Sequence, residues 1–507
     1  MTHQRAAFVE PRRDDARFLE KRRYQMLIDG KSVDSESGET ITRESPAYAD
    51  LVVSEIPKGT RADAERAILA ARRAFDEGPW PRMSGSERSR ILARIGEAIH
   101  EHREELAIIE CLEVGKTIRQ ARGEMGASAE FWRFAAGQAQ GLTGETHNSL
   151  GDNAIGLMLR EPVGVVGIIT PWNFPLLIGS ERVPWALGAG CTVVVKPSEF
   201  TSGSTIRMAE LARDCGLPDG VFNVITGYGD PVGQILAEHP ATDFLSFTGS
   251  FRVGQIVGGL AASNIKRVGL ELGGKGPQII FADSDLDAAS DAVARSIFGV
   301  GGQACIAGSR LIVEAPARDE MLERLTRIAD KVIIGDPLDE SVHVGSLIHR
   351  PHLEKVESYV NAGRKAGARL VTGGARLGNV GNYYAPTIFD AVATDMSIAR
   401  EEIFGPVLAT FSFETPEQAV ALANDTQYGL SAGIWSRDIT KAMRTIRQVR
   451  AGRTWINSAG GGAPEMGIGG YKQSGIGREM GRYGFDEYSS FKNVFMGLNP
   501  VSTPWVG

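Results

Sequence analysis

Between residues 163 and 272 the chain runs through five short, almost unbroken apolar segments, and no other feature of its 507 residues restricts the fold as much. They are "VGVVGIIT", "CTVVVKP", "VFNVI", "DFLSFTG" and "RVGLELGG", with helix-like stretches between them. A strand with one wet face alternates apolar and polar residues, so a strand that is apolar throughout must be covered on both faces. Such strands separated by helices predict a parallel sheet with helices packed on each side. The spacing places helices near 176–189 and 202–214. In sheets of this kind the functional residues gather in loops at the carboxyl ends of the strands.

The flanking sequence extends the pattern. Residues 60–140 repeat apolar positions at helical spacing, as in "RADAERAILAARRAFDEG", which stops at a glycine. From 273 to about 475 new strand-like runs appear: "PQIIFA", "SRLIVEA", "PVLATFSF", "SAGIWS" and "RTWIN". A chain this long exceeds one compact core, and these runs predict a second α/β domain. "GETHNSL" and "AIGLMLREP" read as a hairpin near 143–162, and the tail "YSSFKNVFMGL" alternates like a strand. Strands outside the main domains have open edges that invite pairing with another subunit.

Several classes are disfavoured. A net charge of −7 offers no basic field for nucleic acid or anionic lipid. The longest apolar runs are far shorter than a membrane span. The N-terminus has no apolar signal-peptide segment, and Glu10, Asp14, Asp15 and Glu20 argue against a mitochondrial transit peptide, so it reads as a frayed or loosely docked extension. Cys111, Cys191, Cys215 and Cys305 are scattered, which predicts neither a disulfide framework nor a zinc or other metal site. A reducing cytoplasm is the expected compartment.

Five stretches could carry chemistry. "FGVGGQACIAGSR" sets Cys305 among glycines, where a substrate could approach closely and a following turn could aim a backbone N–H at a developing oxyanion. A nucleophilic cysteine calls for a lowered pKa and an accessible sulfur, whereas an isolated cysteine is more often buried and structural. "LELGGK" ends the fifth strand with Glu271, either a general base in a cleft or a strand-end carboxylate in solvent. "TPWNFP" fixes Asn173 between prolines, as an oxyanion donor or as a local cap. "VVVKPSE" puts Lys196 and Glu199 at the mouth of a cleft where ribose hydroxyls could be held. "FTGSFRVG" lets Gly249 and Ser250 open a helix toward a pyrophosphate, without the usual GxGxxG fingerprint.

Taken together, "TPWNFP", "KPSE", "FTGS", "LELGGK", "GQACIAGSR", "EEIFGPV" and "GGYKQSGIGRE" resemble the aldehyde dehydrogenase superfamily, in family order across about 170–480. The resemblance implies an α/β fold: a Rossmann-like cofactor domain over 1–142 and 164–272, a catalytic domain over 273–480, and a small β oligomerisation arm from 143–163 and 481–507. It implies Cys305 as nucleophile, Glu271 as general base, and Asn173 with the Cys305 N–H as oxyanion hole. Trp172, Lys196, Ser198, Glu199, Gly249, Ser250, Glu402 and Phe404 would bind the cofactor, Glu402 at the nicotinamide ribose. That cofactor would be NAD, with NADP the alternative, because Glu199 near the ribose 2′-position disfavours a 2′-phosphate. Attack of Cys305 on an aldehyde would give a thiohemiacetal and then a thioester, which water activated by Glu271 would hydrolyse. The partners implied are a small-molecule aldehyde and further copies of the chain, as a dimer or tetramer.

Departures from the family pattern bear on the substrate. Glu181 stands where an aromatic residue is frequent, and Arg182 stands where Lys is common, which argues against a proton relay there because arginine stays charged. Cys191 replaces a usual Asn. Gly299 and Ile468 stand where bulkier residues are frequent, and Gly460 to Gly462 add three glycines to a loop that usually lines the substrate entrance. With Phe174, Ala304 and Ile306 as further lining, these changes predict a wide pocket for a bulky hydrophobic or aromatic aldehyde, unless larger side chains elsewhere refill it. Two alternatives stand beside hydrolytic oxidation: a CoA-acylating relative, which Glu271 argues against, and a non-enzymatic structural protein on the same fold.

Overall fold

The computed structural model describes residues 7–12, 22–499 and 505–506. The five apolar runs form the strands Val165–Ile169, Thr192–Lys196, Phe222–Val224, Phe244–Thr248 and Arg267–Glu271, mutually parallel at the centre of an eight-stranded sheet. Alternate residues of one strand enter different cores. Val193 and Val195 join the cluster built on Leu92, Ile95 and Trp132, while Val194 joins Ala64, Ile68 and Ala71 on the opposite face. Both faces are dry, which accounts for the unbroken apolar sequence; each such valine contributes on the order of 1.5–3 kcal/mol by burial.

Helices Arg61–Asp76, Gly85–Glu101, Arg103–Val114 and Ile118–Ala139 supply the covering layers. The first two begin in reciprocal capping boxes, Thr60 with Asp63 and Ser84 with Glu87, which satisfy backbone donors at the helix start. The single helix expected near 176–189 is two, Pro175–Ser180 and Val183–Ala189. Arg182 leaves helical geometry at φ −124°, ψ −56°, and Pro184, which has no N–H to donate, starts the second segment. At the break the Arg182 Nε donates to Ser246 Oγ, in the strand Phe244–Thr248, at 3.2 Å.

The second domain's sheet has seven strands in the order Arg369–Thr372, Thr387–Asp390, Val407–Phe413, Arg310–Glu314, Pro277–Ile280, Ser431–Trp435 and Arg453–Ile456, parallel except for the first. The first two lie outside the sequence expectation. Both are four residues long, and Asp390 interrupts the apolar pattern because it is buried against Arg318 and Arg369.

A late segment crosses back. Gly475–Ile476 pairs antiparallel with Arg267–Glu271 and closes one edge of the first sheet. Ser474 fastens the crossing: its carbonyl accepts from Leu272 N at 2.8 Å, and its hydroxyl donates to Gly273 O at 2.7 Å. Its hydroxyl oxygen also accepts from Gly429 N at 2.9 Å.

The hairpin Glu145–His147 and Ala154–Pro162 is completed by the tail strand Ser489–Gly497, which pairs along all nine residues of the longer hairpin strand. The N-terminal extension was expected to be frayed or loosely docked. Residues Ala7–Val9 are docked, pairing parallel with Ile333–Gly335 of the second domain, and Phe8 meets Tyr383 edge-on at 5.2 Å. The rest of that extension, 1–6 and 13–21, lies outside the described residues.

Candidate active site

Cys305 sits in a tight turn closed by the Ala307 N–H on Ala304 O at 3.0 Å, not at a helix start. The turn follows a short 3-10 segment, Gly299–Gly302, in which Val300, Gly301 and Gly302 all have positive φ. Gly302 is required there: at φ +72° a Cβ would also strike the Gly405 carbonyl of the "EEIFGPV" loop. Gln303 braces the turn from within, donating to Val300 O at 2.9 Å and accepting from Ile348 N at 2.9 Å. Gly274 of "LELGGK" packs directly on the Cys305 carbonyl oxygen, where any side chain would collide. The loop leaving the Glu271 strand and the loop carrying the thiol are therefore in backbone contact.

Asn173 is buried and donates through Nδ2 to Gln303 O at 2.8 Å, two residues before the sulfur. That bond uses one of its two amide hydrogens and fixes the amide on the cysteine loop. The Cys305 N–H makes no hydrogen bond among the described residues. Two N–H groups are thus free to meet a negative oxygen beside the sulfur.

The carboxylates set the electrostatics. Burial lifts Glu271 to about 8, with Glu479 and Glu181 adding to the shift and Arg182 opposing it. Its Oε1 is buried and has no hydrogen-bond partner among the described residues. The half-buried Cys305 thiol is pushed up to about 12 by desolvation, then by Glu402, Glu271 and Glu181, with Arg453 pulling the other way. This reverses the expected lowered pKa: burial and the carboxylates outweigh Arg453, and the sulfur stays protonated at neutral pH.

Behind Glu271 lies a charged cluster. Arg182 Nη1 donates to Glu181 Oε2 at 3.1 Å and to Ile178 O at 3.0 Å, and its Nε lies 3.5 Å from Glu479 Oε1. Glu479 also accepts from Ser246 Oγ at 3.0 Å and from Tyr488 OH at 2.9 Å. Burial opposes the Arg182 charge, but Glu479 and Glu181 outweigh it and hold the guanidinium above its ordinary range. Replacing Arg182 by methionine should lower stability by about 3–5 kcal/mol, since buried carboxylates lose their counter-ion. It should also move the pH–rate profile to higher pH, because Arg182 draws the Glu271 pKa down. Chemical unfolding and a pH series check both; an unchanged midpoint would show that the cluster tolerates the loss.

Along the strand ends, Lys196 is buried, donates to Pro197 O at 2.9 Å and lies 3.8 Å from Glu199. Ser198 lies between them, and its carbonyl accepts from Ser202 Oγ at 2.8 Å. Ser250 caps the helix Phe251–Ala262 by accepting from Val253 N, and Gly249 N donates to Glu271 O at 3.1 Å. Thr170 and Thr248, at the ends of two central strands, each keep a buried hydroxyl without a partner among the described residues. Those orphan groups fit a polar ligand lying across the strand ends. Glu402 accepts from Gly274 N at 2.9 Å, and Phe404 stands edge-on to Trp172 at 5.4 Å.

A cavity of about 790 Å³ reaches Ala304 and Ile306, the neighbours of Cys305. Gly299, Gly460 and Gly461 also line it, and a Cβ at Gly299 would meet nothing within 4 Å. Other expected lining residues lie elsewhere. Phe174 packs under Lys116 Nζ at 4.9 Å, and Glu181 belongs to the charged cluster. Gly462 is closed off by the Arg453 guanidinium, and Ile468 exchanges backbone bonds with Glu479. Sequence reading did not single out Arg453, Trp455, Gln303 or Glu479. Arg453 and Trp455 were visible only as parts of the strand run "RTWIN", Gln303 as a letter of the cysteine motif and Glu479 as the last letter of "GGYKQSGIGRE".

The fold and site together define a two-lobed α/β protein, with a cysteine from one lobe set against a carboxylate from the other at the carboxyl ends of the strands. The chain belongs to the aldehyde dehydrogenase family, whose profile matches residues 32–494. An NAD-dependent aldehyde dehydrogenase from Sinorhizobium meliloti is 60% identical and superposes with a TM-score of 0.97 over 99% of each chain. The betaine aldehyde dehydrogenase of Staphylococcus aureus, solved in complex with NAD+, is 38% identical with a TM-score of 0.93, over 95% of this chain and 97% of that one. A Bacillus subtilis betaine aldehyde dehydrogenase is 41% identical over 485 residues, 95% of this chain and 99% of the relative.

Proposed function

We propose that this enzyme oxidises aldehydes with a bulky hydrophobic or aromatic body to carboxylic acids, using NAD. The observation that carries the substrate reading is the cavity lined by Ala304 and Ile306, which flank Cys305 in the chain, and by the side-chain-free positions Gly299, Gly460 and Gly461. Lys196, Ser198 and Glu199 would hold the adenosine ribose, Trp172, Gly249 and Ser250 the phosphate end, and Glu402 and Phe404 the nicotinamide end. The acidic Glu199 favours NAD over its 2′-phosphorylated counterpart. When bound, NAD would supply a positively charged ring and an acceptor for the two electrons leaving the substrate carbon.

Within that frame the residues divide the work. With its thiol proton released to solvent, Cys305 adds to the aldehyde carbon, forming the C–S bond as the carbonyl π bond opens, and the oxygen takes up negative charge facing Asn173 Nδ2 and the Cys305 N–H. Once the carbon is oxidised, Glu271 removes a proton from the water that attacks the thioester. The C–S bond then breaks, the acid leaves and the sulfur is restored. The exposed Phe491, Phe495 and Met496 on the tail strand support assembly of further copies through the arm.

An aldehyde series with NAD+, read by NADH absorbance, tests the proposal. Benzaldehyde and medium-chain aldehydes should exceed acetaldehyde in kcat/KM by at least about tenfold. Gly299→Leu should erase most of that preference by filling the open space. Acetaldehyde as the better substrate would overturn the reading.

A further inference from the structure

We infer that the aldehyde carries an anionic group, a carboxylate or a phosphate, at the end remote from the carbonyl. This rests on the cavity assigned above to the substrate. Its apolar lining, Val300, Ala304, Ile306 and Trp455, is buried or half-buried, whereas its charged lining is exposed. Arg119, Arg295 and Lys331 line it together with His343, and the acid among the lining residues is Asp291.

None of the three permanent cations forms an ion pair among the described residues, although this chain pairs arginine freely elsewhere. Arg119 and His343 are close enough that Arg119 adds to the lowering of the histidine pKa caused mainly by burial. Arg295 is four residues before Gly299, about one helical turn away, so it projects over the same wall.

The position of Arg119 is the most telling. It lies in the first turn of the helix Ile118–Ala139, the end where the helix dipole disfavours a cation, and that turn holds no acidic residue to offset it. Arg295 and Lys331 sit in last turns, where helix electrostatics alone would account for them. Arg119 has no such local explanation. Exposed cations that share the lining of a cavity with apolar side chains fit a molecule with an apolar body and a negative tail. They disfavour a cationic aldehyde such as betaine aldehyde.

The test compares near-isosteric substrates on the full-length enzyme with NAD+: 4-formylbenzoate, 4-formylphenyl phosphate, benzaldehyde and 4-(trimethylammonio)benzaldehyde. At least one anionic substrate should exceed benzaldehyde in kcat/KM by about tenfold, and the cationic one should fall below it. Whichever anion leads identifies the tail as carboxylate or phosphate. Raising the salt from 0.05 to 0.5 M should shrink the preference, since these are exposed charges. The triple variant Arg119→Gln, Arg295→Gln, Lys331→Gln should bring the anion-to-neutral ratio close to one; Arg119→Glu alone should lower it at least threefold. An anion-to-neutral ratio near one in the parent enzyme, or a preference unchanged in both variants, overturns the inference. Failure of the underlying pocket reading shows differently, as acetaldehyde outrunning benzaldehyde.

Discussion

Cys305→Ala should oxidise no aldehyde at a measurable rate, a loss of at least roughly 10⁴-fold in kcat, because removing the nucleophile removes the covalent route entirely. NAD+ binding, measured by calorimetry or fluorescence titration, should stay within about twofold of the parent. The two outcomes separate because the thiol lies on a turn of the second domain, whereas Lys196, Glu199 and Ser250 lie at the strand ends of the first. Cys305→Ser should be nearly as inactive, since a hydroxyl beside Glu402, Glu271 and Glu181 is harder still to ionise than the thiol already pushed up to about 12. Parent-like turnover by the alanine variant would remove Cys305 from the chemistry and the mechanism with it.

Glu271→Gln should give a different defect. Thioester formation does not require the carboxylate to activate water, so one equivalent of NADH should appear rapidly. Steady turnover should then fall by about 10²–10⁴-fold, the usual range for loss of a general base. The pH dependence carries the sign. A carboxyl lifted to about 8 is protonated over most of the neutral range, and only the ionised form accepts a proton. Hydrolysis in the parent should therefore rise with pH between 7 and 9 and then level. In the glutamine variant that limb should vanish. Stopped-flow NADH traces across pH measure both effects; a variant with no burst but unchanged steady turnover would place the base elsewhere.

How much of this could be read from the sequence depended on whether the signal was local. The strand Thr192–Lys196 was legible because burial on both faces forces apolar residues into every position. Thr387–Asp390 was not, because four residues ending in a buried aspartate carry no periodicity. The split at Arg182 was hidden for a related reason: Pro184 hinted at a boundary, but the arginine's turn out of helical geometry is tied to Glu479, nearly three hundred positions away. The candidate site divides the same way. Residue types at Cys305, Glu271 and Asn173 announced themselves within short motifs. The direction of the Cys305 pKa did not, since burial sets it first and then three carboxylates from separate parts of the chain. The cavity lining mixed both cases. Gly299 stood in an informative motif, whereas Arg119 looked like one more solvated charge on a helix.

The crossing at Ser474 and Gly475 bears on how the protein comes into being. Glu271 emerges from the ribosome some two hundred residues before the short edge strand that finishes its surroundings. Pairing across such a span is slow and comes late in folding. An unfinished chain can thus hold the thiol and the carboxylate yet lack the wall that keeps them in register. Reactive carbonyl compounds in the cell would meet a working enzyme only after synthesis is all but complete.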